Sequence, residues 1–438
     1  MSRTHLKSQS HFRWVICFIA FSAILIIYMD RQILSLLKPM LEEKFGWTNT
    51  EYALINNFFQ GAYAFGLLGF GWFLDRSGIR LGYTVSVLFW SIAVSCHALV
   101  TTLAGFCVAR LFLGLSEGGV YPGATKTVAQ WFPKSERAFA TSLLNCGANA
   151  GALVAPAVVP WLAYTWSWQV PFLVVGAAGL VWVVVWRFVF SAPQEHSLVS
   201  PSELALITQD GDQVPAEPGD KKFTWAGLLG YRQTWAYIVA KLLTDPVWYF
   251  FLIWLPDFFK KTRGLDIKNS WPHLITVYAI VTALSLCGGY FTGYLIRRNW
   301  SVTGARKTGL FCFALLVTPI ALVTHVGDWT AVCLIGLAGA AHQAWSANLY
   351  TTVSDMFPNR AVASIIGIGS MAGSLGAIAF QFNCGRLLDH YGQSGATQSY
   401  ALLFGYCSGA YLVAFALNHL LAAQFRPIVS DHASLPSG

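Results

Sequence analysis

The sequence predicts an all-α membrane protein, and three observations carry that expectation. Hydrophobic residues make up 55% of the 438, aromatics 15% and charged residues only 11%, and mean hydropathy is +0.52. A soluble chain of this length needs far more polar surface. About twelve stretches of roughly 20 apolar residues, the length that crosses hydrocarbon as a helix, alternate with short polar or Gly/Pro-bearing turns. Uninterrupted apolar runs such as Val170 to Val185 exclude a membrane β-barrel, whose strands of about ten residues alternate in polarity.

The predicted spans cover residues 13–37, 52–74, 82–103, 105–130, 138–163, 169–190, 233–259, 272–296, 306–325, 329–356, 361–388 and 398–424. The first follows a basic start (His5, Lys7, Arg13), yet it is long, carries Asp30 and lacks a small-residue cleavage site, so it reads as retained. Between Phe190 and Tyr231 a polar connection punctuated by Pro and Gly divides the chain into two blocks and predicts one short amphipathic helix. The expected organisation is an amino-terminal bundle (1–190), a cytoplasmic linker (191–231), a carboxy-terminal bundle (232–426) and a tail (427–438).

Charge sets the expected topology. With the amino terminus inside, the even-numbered connections and both termini hold about 17 of the 28 Lys and Arg against about seven on the other side. This bias toward the anionic cytoplasmic leaflet accounts for the net charge of +8, so the charge argues nothing for nucleic acid. The nine cysteines are scattered singly with no CxxC pair, and read as small apolar fillers rather than disulfides or metal ligands.

The two blocks repeat. Placing WFPKSERA (Trp131 to Ala138) over MFPNRA (Met356 to Ala361) brings NCGANAG (Asn145 to Gly151) opposite GIGSMAG (Gly367 to Gly373). Parallel repeats of this kind build transporters that rock two bundles about a midplane site. The small residues in these strings, and in GLSEGG, suit close helix approach. None follows a strand, so they are not phosphate loops. No metal-spaced cluster, HExxH or nucleophile elbow occurs, and neither an enzyme nor a cofactor is expected.

At this point the chain resembles the major facilitator superfamily. GWFLDRSGIR matches that family's G-x-x-x-D-R-x-G-x-R connection, through Gly71, Asp75, Arg76, Gly78 and Arg80. In the second copy, GGYFTGYLIRR, Gly293 replaces the acid. Asp75 is expected at a helix terminus, with Arg76 and Arg80 meeting acidic and carbonyl groups of a neighbouring helix to latch the halves on the cytoplasmic side. YMDRQ, ARLFLGLSEGGVYPGA, LTDPVWYFFLIWLP and AHQAWSANLYTTVSDMFP are similar to the anion:cation symporters, and among them to bacterial hexuronate transporters. The resemblance implies twelve transmembrane helices in two pseudo-symmetric six-helix bundles, proton-driven uptake of a small organic acid across the bacterial inner membrane, and a monomer.

The ionisable residues lead toward the same chemistry. Asp30 and Arg31 lie within the first span, where charge costs several kcal/mol unless it faces a protein interior or watery cavity. Arg110 and Glu117 are seven apart on one face of the fourth, about 10 Å from each other and too far to bond. The first helix offers both of them partners. An arginine presents a permanently charged planar fork to a carboxylate, and a carboxyl group in a low-dielectric site takes up a proton more readily than one in water. Asp30, Glu117 and Arg110 are therefore the candidates for proton coupling, and Arg31 and Arg110 for substrate; the resemblance implies the same division and adds Tyr63, and Asn145 and Asn149 are further substrate candidates. Under the repeat Glu117 falls opposite His342, and Asp30 and Arg31 opposite Val247 and Trp248, so the cluster is not duplicated. The second half would complete the pocket with Trp248, Tyr249, His342, Gln343, Ser346 and Asn348. Plainer readings stand beside these. The asparagines could be interhelical bonds, an Arg110–Asp30 pair could merely fix packing, and Lys241 and Asp245 could merely neutralise each other. Other substrates (an aldonate, a tartrate-like or aromatic acid), a drug exporter, or a sensor without flux are the competing functions. The short stretch after Arg426 offers a sensor no signalling domain.

Overall fold

The computed structural model describes residues 11–209, 225–265, 267–357 and 359–425. The described elements are helical, and the chain divides into two compact units, Met1–Pro218 and Gly219–Gly438. The first holds α1 (Phe12–Phe45), α2 (Asn49–Ser77), α3 (Ile79–Cys96), α4 (Leu103–Glu117), α5 (Val120–Trp131), α6 (Lys134–Thr165), α7 (Val170–Val189) and the short α8 (Pro201–Thr208). The second holds α9 (Trp225–Leu228), α10 (Arg232–Arg263), α11 (Ile267–Arg297), α12 (Val302–Val317), α13 (Asp328–Met356), α14 (Asn359–Tyr391) and α15 (Ala396–Leu421). Among the described residues ten helices are long and apolar enough to cross a membrane. Asn49–Ser77 and Asp328–Met356 are not among them, although each is 29 residues long. Buried polar residues such as Asn56, Gln60, His342 and Asn348 lower their hydropathy.

Prolines and glycines explain the departures from the predicted spans. The helix predicted over 105–130 is broken after Glu117, where Gly118 and Gly119 separate α4 from α5 and Ser86 of α3 donates to the Ser116 carbonyl at 2.6 Å. The span predicted over 306–325 changes from α to a 3₁₀ turn at Thr318–His325, because Pro319 has no N–H to continue the ladder. The first helix runs eight residues past its predicted end at Leu37 and stops at Gly46 in the left-handed conformation. Its extra turns hold Lys38, whose Nζ is 2.9 Å from Glu42 Oε2 and 2.9 Å from Asn49 Oδ1. α10 passes through Pro246 without ending. The carbonyls of Leu243 and Thr244, just before that proline, accept from the Tyr406 and Tyr411 hydroxyls of α15, both at 3.4 Å.

The repeat is visible in the packing. In the first unit α1 packs on α6, α2 on α4 and α3 on α7; in the second α10 packs on α14, α11 on α13, and α12 with its 3₁₀ extension on α15. A Cβ at Gly147 or Gly151 of α6 would strike Phe21, or Leu25 and Tyr28, of α1, whereas one at Gly369, Gly373 or Gly376 of α14 would strike Tyr237, Asp245 or Leu242 of α10. The sequence alignment pairs Gly147 with Gly369 and Gly151 with Gly373. With Pro39 over Pro256 it also pairs Tyr28 with Asp245. Sequence register and packing register therefore agree.

Gly118 and Gly66 bring α4 and α2 into backbone contact, and a Cβ on Gly118 would fall inside the Gly66 backbone. Gly118→Ala is expected to destabilise the protein by about 1–3 kcal/mol through overpacking. Thermal unfolding of detergent-purified protein measures this, and an unshifted midpoint would show that the crossing has room to spare.

Candidate functional site

The close α2–α4 crossing has a consequence for chemistry, because it carries Phe59 and Tyr63 of α2 alongside Arg110 and Glu117 of α4. α1 supplies Asp30 and Arg31 to the same place. Arg31 Nε donates to Glu117 Oε1 at 2.5 Å. Its guanidinium carbon lies 4.8 Å from the Tyr63 ring centre, 5.0 Å from Tyr28 and 5.6 Å from Phe59. Aromatic faces attract the cation. Arg110 is buried and sits 5.6 Å over the same Phe59 ring, and among the described residues its Nε and Nη2 have no hydrogen-bond partner. Asp30, wholly buried, accepts from Trp90 Nε1 of α3 at 2.9 Å. Among the described residues Asp30 Oδ1 and Glu117 Oε2 have no hydrogen-bond partner.

All four ionisable groups thus converge, but the pairing is specific. Glu117 takes Arg31, and among the described residues no ion pair joins Asp30 to Arg110. The reading in which an Arg110–Asp30 bridge merely fixes packing therefore has no bond to rest on. Three participants escaped the sequence reading. Trp90 carried a signal, since an indole N–H in the middle of an apolar helix requires an acceptor. Tyr28 adjoins the Asp30–Arg31 dyad. Phe59 looked like any other apolar residue.

The remaining expected residues are placed as follows. Asn149 is half-buried on α6 and makes none of the described hydrogen bonds; the side chain of Asn145 lies outside the described residues. In the second unit Trp248 stacks on His342 with ring centres 5.4 Å apart and planes 5° apart. His342 Nδ1 is 2.6 Å from the Tyr411 hydroxyl. Tyr249, Gln343 and Ser346 are half-buried on α10 and α13. Asn348 turns toward α12, where Nδ2 donates to the Arg306 carbonyl at 2.8 Å, the interhelical bond that was its plainer reading. Among the described residues no group of three or more His, Cys, Asp or Glu could hold a metal.

The GWFLDRSGIR connection is tighter than a loop. Gly78, at φ 79° and ψ 162°, is the single joint between α2 and α3, a conformation that a side chain disfavours. Arg80 Nη2 donates to the Arg187 carbonyl at the end of α7, at 2.8 Å, which supplies the expected carbonyl partner from within its own unit. Among the described residues Arg76 meets no acid; it is exposed and packs 5.9 Å over Trp72 one turn back. An added Cβ at Gly71 would touch nothing, and the side chain of Asp75 lies outside the described residues.

With this geometry in view, the comparisons have a clear meaning. Residues 20–381 match the Major Facilitator Superfamily, and the chain belongs to that family: it is a multi-pass membrane transporter, not an enzyme. The hexuronate transporter of Escherichia coli is 27% identical over 390 residues, covering 87% of this chain and 89% of that protein. A D-galactonate transporter of Escherichia coli is 27% identical over 394 residues, 87% and 90% of the two chains. A probable galactarate/D-glucarate transporter of Bacillus subtilis is 27% identical over 434 residues, 96% and 94%. Among solved structures, an unoccupied inward-facing bacterial homologue of the human lysosomal transporter Spinster superposes with a TM-score of 0.74 at 15% identity, over 95% and 98% of the chains. That likeness supports the fold.

Proposed function

We propose that the protein is a proton-coupled symporter that imports a sugar acid, with a hexuronate as the first candidate, by alternating access. Charge balance in the α1–α4 cluster carries this reading. Two arginines and two carboxylates cancel when the site is empty, with Arg31 held by Glu117. A substrate carboxylate adds one negative charge, and an uncompensated buried charge is costly. One proton on Glu117 or Asp30 restores the balance and, on Glu117, releases Arg31 to the substrate. Arg110, whose Nε and Nη2 have no partner among the described residues, supplies a second grip. Proton and anion therefore bind together and leave together.

The named relatives carry hexuronate, galactonate and galactarate or glucarate, all of them polyhydroxy carboxylates. An aldonate or aldarate is the second reading, since those relatives share the same 27% identity. The finer architecture belongs to the same proposal: twelve spans in two six-helix bundles (1–190 and 232–426), a cytoplasmic linker and tail, both termini inside, and a monomer in the bacterial inner membrane. No cofactor is needed, because the proton gradient drives accumulation. Uptake into proteoliposomes with an imposed proton gradient, screened over hexuronates, aldonates and aldarates, tests it. Saturable uptake that collapses with a protonophore is expected. Uptake indifferent to the gradient would sink symport, and uptake of none of these acids would sink the substrate class.

A further inference from the structure

The second unit contains an ionic pair that the mechanism above leaves unused. Lys241 and Asp245 lie one turn apart on α10, their Nζ and Oδ2 2.7 Å apart, with 5% and 15% of their side chains exposed. Lys241 Nζ also reaches the Tyr350 hydroxyl of α13 at 3.3 Å, long for a charge-assisted bond, and stands 4.9 Å over that ring. Packing alone does not require such a pair, since well-packed apolar side chains generally serve a buried position as well or better.

Three further observations point to a ligand. The hydroxyl of Tyr237, one turn before Lys241 and wholly buried, has no hydrogen-bond partner among the described residues. A buried hydroxyl left in that state is costly unless something supplies the missing partner. Next, the repeat places Asp245 where the first unit has Tyr28, and Tyr28 lies 5.0 Å beneath Arg31. Asp245 thus stands, in the second unit, at the position that corresponds to the residue beside Arg31 in the first. Finally, the Tyr411 hydroxyl touches both the Thr244 carbonyl at 3.4 Å and His342 at 2.6 Å, so the Trp248–His342 stack is tied to the turn of α10 that carries the pair. An ammonium and two phenols against a single carboxylate make a set rich in donors, suited to an oxygen-rich anion.

We propose that Lys241 is a carboxylate-binding cation of the second unit, held in reserve by Asp245 and flanked by the hydroxyls of Tyr237 and Tyr350, for the polyhydroxy acid that is transported. The inference rests on the sugar-acid reading. Substrate replaces Asp245 at the ammonium, and Tyr237 supplies a hydrogen bond to a substrate oxygen.

Uptake of glucuronate, galactonate and galactarate by wild type, K241Q/D245N and Y237F, alongside thermal unfolding of each purified protein, tests it. The neutral pair is expected to keep its unfolding midpoint within a few degrees and to raise KM at least tenfold. Y237F removes an unpartnered hydroxyl, so its midpoint should hold or rise while KM rises at least threefold. A purely structural cluster predicts wild-type KM in both, and that result overturns the proposal while leaving the parent reading intact. A raised KM in the neutral pair alone keeps Lys241 and removes Tyr237 from the site; the reverse overturns the Lys241 assignment. Should the pair variant not fold, K241R, which keeps the charge beside Asp245 but changes the shape of the donor, takes its place, and wild-type KM in K241R overturns the proposal. A wild type that takes up none of the three acids overturns both readings.

Discussion

Glu117→Gln is expected to abolish proton-driven accumulation while exchange of substrate between loaded vesicles survives. Glutamine is nearly isosteric with a protonated glutamate and cannot give its proton up. The variant therefore holds the site in the state in which Arg31 is available to substrate, whatever the pH on either side. A carrier locked in that state can bind, turn over and release the anion in exchange for another. It cannot draw on the gradient, because no proton leaves with the substrate. The structure makes Glu117 the more direct of the two acids, since its Oε1 is bonded to Arg31 whereas Asp30 is bonded to Trp90. Accumulation in proteoliposomes under an acid-outside gradient, compared with counterflow in the same vesicles, separates the two activities. Wild-type accumulation by E117Q would move the coupling proton to Asp30, and D30N would then show the loss instead.

Arg31→Lys should weaken substrate binding by about tenfold to a hundredfold, the consequence of losing about 1.5–3 kcal/mol of charge-assisted hydrogen bonding. Charge is preserved in this substitution, so the effect isolates shape. Lysine offers a compact ammonium where arginine offers a planar fork. It also loses the stacking that holds the guanidinium among Tyr63, Tyr28 and Phe59. Binding measured by quenching of intrinsic tryptophan fluorescence, or KM from initial rates, gives the number. An unchanged affinity would make Arg31 a structural partner of Glu117 and nothing more.

Much of this site was legible in the sequence because the cost of charge in hydrocarbon does not depend on the fold. Asp30, Arg31, Arg110 and Glu117 stand out in any arrangement of apolar helices. The repeat was legible for a similar reason, since glycines every few positions mark faces that must approach closely, and Gly151 and Gly373 do meet corresponding positions on α1 and α10. Arg76 shows the limit of such reasoning. Its motif suggested an acidic partner, yet one helical turn back Trp72 offers a nearer surface, and nothing in the spacing ranks the two. Lys241 and Asp245 show it again: the i, i+4 spacing accounts for their pairing, but the unpartnered Tyr237 hydroxyl beside them comes into view only when α10, α13 and α14 are packed.

The sequence by itself determined that the chain is helical and membrane-embedded, that it is a repeat, and which four ionisable groups had to be sheltered. Those are consequences of composition and period, which local physics fixes. Only the tertiary structure decided who pairs with whom. The Glu117–Arg31 bond, the aromatic box around Arg31, the Trp90 bond to Asp30 and the break at Gly118 all depend on the rotation and approach of whole helices. These are set by packing contacts between residues far apart in the chain, and helical period along one segment says which residues share a face without saying what that face will meet.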